Sequence, residues 1–105
     1  MSDYVQVMTT TDRAEHADEL ARALVDARLA ACVQVLGPMR SHYRWKGDVE
    51  RAEEWLLVIK TARAKQDALV EAIGARHHYD VPEITVTAIV EGSPAYLAWI
   101  GESVS

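Results

Sequence analysis

The sequence predicts an α+β fold, a ferredoxin-like βαββαβ sandwich with a long hairpin between its second and third strands and a short C-terminal helix. Three observations carry that prediction. Runs of β-rich residues alternate with helical periodicity in the order strand, helix, strand, strand, helix, strand. The 105 residues, 50% of them hydrophobic, suit a single core, and no shift in composition divides them, so residues 1–105 read as one domain. The stretch from Ala30 to Thr61, AACVQVLGPMRSHYRWKGDVERAEEWLLVIKT, reads as one hairpin whose apolar arms, Cys32 to Leu36 and Trp55 to Ile59, flank a polar, aromatic middle. Strands of roughly 13 residues at about 3.3 Å each project about 40 Å, farther than a domain of this size is wide.

Tyr4 to Thr9 forms the first short strand. Asp12, with Glu15 three residues on, makes a capping-box-like start to a helix. Ala17, Leu20, Ala21, Leu24, Ala27 and Ala31 recur at helical spacing as a stripe for the sheet, while Arg13, Glu15, Asp18, Glu19, Arg22, Asp26 and Arg28 take the other faces. His16, near the helix start among acids, reads as part of the solvated side. Gly37-Pro38 interrupts the first hairpin arm, which implies a bulge or kink on an edge strand because proline cannot donate to a ladder. At the tip, a three-residue loop with Gly47 left-handed would set Arg44 opposite Asp48 and His42 opposite Glu50. This register is preferred to a two-residue Gly47-Asp48 turn that opposes Arg44 to Arg51. A second helix runs from about Ala64 to Arg76 with Leu69, Ala72 and Ile73 inward. Pro82 resets the chain before a strand from Ile84 to Val90. Gly92-Ser93-Pro94 then supplies a turn, an N-cap and a first-turn proline for the closing helix with Tyr96, Leu97, Trp99 and Ile100.

Residues 55 to 59, Trp-Leu-Leu-Val-Ile, are apolar at both parities, the pattern of a strand buried on both sides. Helices of so short a chain can shield only one face, so the other calls for a closed oligomer whose sheets abut. Lys plus Arg number 11 against 16 Asp plus Glu, a net charge of −5, which argues against a nucleic-acid partner. The third strand also lacks the Lys/Arg-Gly-aromatic motif of RNA-recognition modules. One cysteine forms no internal disulfide, and no signal peptide or membrane span is legible, so the expected setting is cytoplasmic. No nucleophile elbow, P-loop, His-Glu-x-x-His motif or apolar carboxylate pair is present, so no enzyme is expected. Glu53 and Glu54, as strand neighbours, point to opposite faces.

The run Leu29 to Val33 (LAACV), Tyr43-Arg44-Trp45-Lys46-Gly47, Lys60-Thr61, His78-Tyr79-Asp80-Val81-Pro82-Glu83-Ile84 and Tyr96-Leu97-Ala98-Trp99-Ile100 together resemble the CutA family of divalent-cation tolerance proteins. The likeness spans nearly the whole chain. It implies a very stable homotrimer of ferredoxin-like subunits that binds copper, with other divalent metals as further candidates, and acts in metal tolerance. It also implies a likeness in assembly to the PII signalling proteins, whose trimers hold small ligands between subunits.

Donors suited to copper are Met8, Cys32, His77 and His78, since thioether and thiolate suit Cu(I) and imidazole suits Cu(II). His77 and His78 can share a metal only where the helix has ended, because helical neighbours point about 100° apart. In some family members such a histidine pair, with a cysteine late in the first strand, is taken as a copper site. Here Met8 stands where that cysteine would be, which favours Cu(I) over Cu(II). Cys32 reads as a small buried hydrophobe. A second constellation, Tyr43, Trp45, Glu53, Lys60, Tyr79, Glu83 and Trp99, resembles family positions near the cleft between subunits. It suits a small-molecule site or, equally, an obligate subunit interface. Two functions follow: a copper-binding tolerance trimer with ligands His77, His78 and Met8, or a PII-like sensor or scaffold taking a small anionic ligand or a protein partner in the cleft.

Overall fold

A computed structural model describes residues 2–105. In β1 (Tyr4–Thr11) the fully buried Val5, Val7 and Thr9 alternate with half-buried Tyr4, Gln6 and Met8, because successive strand residues point to opposite faces. The helix α1 (Ala14–Asp26) lays Ala17, Leu20 and Leu24 on the first of these faces. The hairpin arms β2 (Cys32–Trp45) and β3 (Asp48–Ala62) follow. A 3₁₀ turn at Arg63–Lys65 leads into α2 (Gln66–Arg76), whose Leu69 and Ile73 join the same core with Leu57 and Ile59 of β3. A short strand β4 (Thr85–Ala88) and the helix α3 (Pro94–Ser103) end the chain. The sheet order is β2-β3-β1-β4 with every neighbouring pair antiparallel, so the ferredoxin-like α+β architecture holds. The hairpin stretches the molecule to 44 Å against 25 and 22 Å on its other axes.

Several boundaries differ from expectation for local reasons. Strand β1 runs on to Thr11, so Arg13 rather than Asp12 is the N-cap of α1 and no side chain caps it. The helix stops at Asp26 because Arg28 turns left-handed (φ 59°), which leaves Ala27 and Ala31 of the apolar stripe beyond it. Strand β4 has four residues instead of seven. It pairs Thr85 with Met8, and beyond that point the Thr10 carbonyl is taken by the His77 ring. At α3 the expectation is met: the Ser93 side chain accepts from the Tyr96 N–H and Pro94 opens the helix.

The bulge at Gly37-Pro38 decides which side chains the hairpin presents. Leu36 faces Leu56, but Met39 faces Glu54, so β2 carries one residue more than β3 across this step. An odd insertion flips the phase of the strand. Before it Cys32, Gln34 and Leu36 share a face with Leu56, Val58 and Lys60; after it Ser41, Tyr43 and Trp45 do. A Cβ on Gly37 would lie 2.5 Å from Trp55 Cδ1, so only glycine lets the indole pack there. The shift also corrects the expected tip. Trp45 pairs with Asp48, Arg44 with Val49 and His42 with Arg51, which leaves a two-residue loop of Lys46 (φ 50°) and Gly47 (φ 87°). Both central residues are left-handed, as a type I′ turn requires.

The helix α3 corrects the expectation that all helices cover one face. Its Ile100 and Val104 pack with Tyr4, Ala62 and Ala31, and Tyr4 and Ala62 belong to the sheet face opposite α1 and α2. One end of that open face is therefore covered from within the chain. Its middle, with Met8, Leu56, Val58 and a half-exposed Leu36 (51%), is not. Among the described residues no helix is long and apolar enough to cross a membrane.

Candidate functional site

At the end of β1, Thr10 and Thr11 point to opposite faces, and each meets a polar cluster. On the helix side the Thr11 hydroxyl stands 2.6 Å from His16 Nδ1, and His16 Nε2 lies 3.3 Å from the carbonyl of Arg76, the last residue of α2. A carbonyl only accepts, so His16 carries its proton on Nε2 and its Nδ1 takes the threonine hydroxyl. The imidazole of His16 thus caps an orphan carbonyl at the end of α2. His78 stacks on it with centroids 3.5 Å apart and planes within 2°, and His77 meets it edge-on at 5.6 Å.

His77 is equally occupied. Its Nε2 donates to the Thr10 carbonyl at 2.8 Å and its Nδ1 accepts from the Tyr79 N–H at 3.1 Å. Burial holds its pKa below the ordinary histidine value, with the Thr10 bond opposing and the nearby His16 and His78 adding to the depression. His78 is exposed, and no hydrogen bond among the described residues engages its ring. A hollow of about 250 Å³ lined by His16, Glu19, Arg76 and His78 opens beside it.

On the open face, Thr10 lines a cleft of about 560 Å³. The bulge-shifted side chains Ser41, Tyr43 and Trp45 form one wall and Tyr79, Asp80 and Glu83, after α2, another. Glu54, only 8% exposed, lines the cleft beside them. Its Oε2 accepts from the Tyr79 hydroxyl at 2.8 Å. Burial first, and then this bond, push the Tyr79 pKa upward, so the phenol stays protonated and remains a donor.

The structure brings four of the seven expected cleft residues together: Tyr43, Trp45, Tyr79 and Glu83. The other three lie elsewhere. Lys60 is on the open face six residues from Glu54, about 20 Å along the strand, and its Nζ donates to Gln34 Oε1 at 2.6 Å. Glu53 is exposed opposite Arg40, on the side of Trp55. Trp99 is on α3, with its ring centroid 5.4 Å from that of Tyr96. Of the expected metal donors, His77 and His78 are adjacent at the end of α2, but strand alternation turns Met8 to the opposite sheet face from Val7, which packs under the helices. Cys32 is half-buried with Sγ 3.8 Å from the Tyr96 hydroxyl. Among the described residues no three His, Cys, Asp or Glu side chains are placed to hold one ion. Of His77 and His78, only the latter has ring nitrogens without a hydrogen bond among the described residues.

Two residues escaped the sequence reading. His16 is 3% exposed rather than solvated, and its spacing from Leu20 and Leu24 places it on the buried stripe of α1. That periodicity was the available signal, and the acidic neighbours masked it. Glu54 takes the place expected of Glu53; it shares parity with Leu56, Val58 and Lys60, so it had to face the open side.

Residues 5–103 match the family described as CutA1 divalent ion tolerance protein. The divalent-cation tolerance protein CutA of Thermus thermophilus is 42% identical over 97 residues, 92% of this chain and 94% of that protein. The CutA homolog of Xenopus laevis is 44% identical over 88 residues, 84% of this chain, yet the match spans only 58% of that longer protein. In three dimensions the chain is similar to CutA from Xylella fastidiosa, with a TM-score of 0.96, 36% identity and coverage of 99% and 100% of the two chains. A family match over almost every residue, with relatives this similar in sequence and in backbone, shows that the chain belongs to the CutA1 divalent ion tolerance family.

Proposed function

We propose that this chain serves divalent-cation tolerance as a closed homotrimer that binds copper at the His77–His78 corner. The observation that supports it is His78, an exposed imidazole with no hydrogen-bond partner among the described residues, next to His77, whose Nδ1 lone pair accepts from the Tyr79 N–H. Imidazole nitrogens suit Cu(II), zinc and nickel. His78 would hold the ion, and His77 would join it by giving up its Tyr79 bond. Met8 belongs to the open face in this reading, among the side chains that subunits cover. The uncovered middle of that face supports the oligomer, and the count of three follows the family resemblance. Cys32, a free thiol without a partner cysteine, suits the cytoplasm.

The test is a copper titration of chelator-stripped protein, as Cu(II) and separately as Cu(I) under reductant, with light scattering. His78→Ala is expected to abolish tight binding and His77→Ala to weaken it, with the oligomer intact in both. Binding in a His77→Ala/His78→Ala double variant equal to wild type would overturn the histidine site. Deleting Arg40 to Ala52 and closing with Asn-Gly is expected to lose the trimer.

The cleft favours a second reading, a PII-like trimer that holds a small molecule where Tyr43, Trp45, Tyr79 and Glu83 converge. Here Trp45→Ala alters ligand binding while the histidine variants behave as wild type.

A further inference from the structure

We infer, on the reading of the open-face cleft as a ligand site, that it takes an organic amine, a protonated ammonium on a ring-sized apolar body. Its charge inventory is one-sided. Glu54, Asp80 and Glu83 line the cleft, while neither Lys nor Arg does and His42 is the one basic side chain. An anionic guest, which the family likeness to PII proteins would suggest, would face three carboxylates, with Lys46 beside Trp45 at the hairpin tip as the nearby cation among the described residues.

Glu54 sharpens the point. It is more than nine-tenths buried, one oxygen is tied to the Tyr79 hydroxyl, and among the described residues neither a hydrogen bond nor a salt bridge reaches the other. The other oxygen stays accessible from the cleft, where it can accept from a positive N–H donor. Tyr79, locked as a phenol, donates one bond but carries no charge. The faces of Tyr43, Trp45 and Tyr79 complete the site, since aromatic rings attract ammonium groups. Trp45 already does so: the Lys46 ammonium lies 5.9 Å from its ring centroid. A bare divalent ion fits poorly, because the carboxylates do not converge as a cage. A volume of about 560 Å³ is that of a small-molecule pocket.

The test uses the full-length oligomer in buffer with EDTA and three probes that share one indole: tryptamine, tryptophol and indole-3-propionate. Calorimetry is expected to give one tryptamine per cleft, bound at least tenfold more tightly than tryptophol, with indole-3-propionate weakest. Glu54→Gln should erase the preference for tryptamine over tryptophol, and Glu83→Gln, which replaces a more exposed carboxylate, should reduce it if Glu54→Gln disturbs assembly. Tightest binding of indole-3-propionate would overturn the charge assignment and leave the cleft a ligand site. No binding by any probe would remove the ligand reading and the amine with it. Without EDTA, displacement of tryptamine by zinc in a Glu54-dependent, His78-independent manner would overturn the amine in favour of a metal.

Discussion

Thr10 and Thr11 are neighbours on one strand, yet the clusters they meet are built on opposite principles. Around Thr11 both nitrogens of His16 and both of His77 are matched to a partner, so the cluster is closed and holds α1, α2 and β1 together. Around Thr10 the cleft keeps the Glu54 carboxylate, with one oxygen bonded to Tyr79 and the other open to the cleft. The bonded imidazoles of His16 and His77 hold the fold together, while the His78 ring and the open Glu54 oxygen are the groups with something left to bind.

The largest effect should come from Gly37→Ala. The new methyl would run into the Trp55 ring, so we expect a loss of about 3 kcal/mol in urea unfolding and failure to bind tryptamine. Unfolding midpoints unchanged at equal protein concentration would show that the bulge does not set the cleft. Next comes His16→Ala, which strands the Thr11 hydroxyl and the Arg76 carbonyl and should cost about 2 kcal/mol. His78→Ala removes a ring with no hydrogen bond and should cost less than about 0.5 kcal/mol. Equal losses for the two would erase the contrast between closed and open imidazoles.

A smaller effect is expected from pH. The folded chain holds His77 below its ordinary value of 6.5, so between the two values the unfolded chain binds more protons. Stability is therefore full above about 6.5 and falls as pH drops through that value toward the lower folded one. His77→Gln should flatten the fall, as followed by urea midpoints at pH 7.5 and 5.5. The smallest change concerns Thr9, two residues back on the Thr11 side, whose buried hydroxyl has no partner among the described residues. Thr9→Val should stabilise the protein by up to about 1 kcal/mol, since it removes an unsatisfied group while keeping the shape.

Strand parity and helical spacing made the core legible: Val5, Val7, Leu20, Leu24, Leu57 and Ile59 all lie where their patterns place them. The hairpin tip was not legible. Continuing the pairing of Leu36 with Leu56 without interruption leads to Arg44 opposite Asp48, the register first expected, and only the added residue at the bulge moves it. Gly37-Pro38 announces an irregularity but not its phase, because the phase depends on how the Trp55 ring packs. Half of the cleft was legible from its aromatic residues. Lys60 and Trp99 lie outside the cleft of this chain because composition carries no distance along a strand, and α3 crossed to the open face through tertiary packing that a ten-residue segment does not advertise.

The bulge decides which of two alternating sets of side chains the hairpin turns to the cleft. In an uninterrupted register, without a single substitution, Arg40, His42 and Arg44 would turn toward Glu54 while Tyr43 and Trp45 turned away. A recess that welcomes a cation would then repel one. The charge that lines this cleft is thus written in the alignment of two strands rather than in composition.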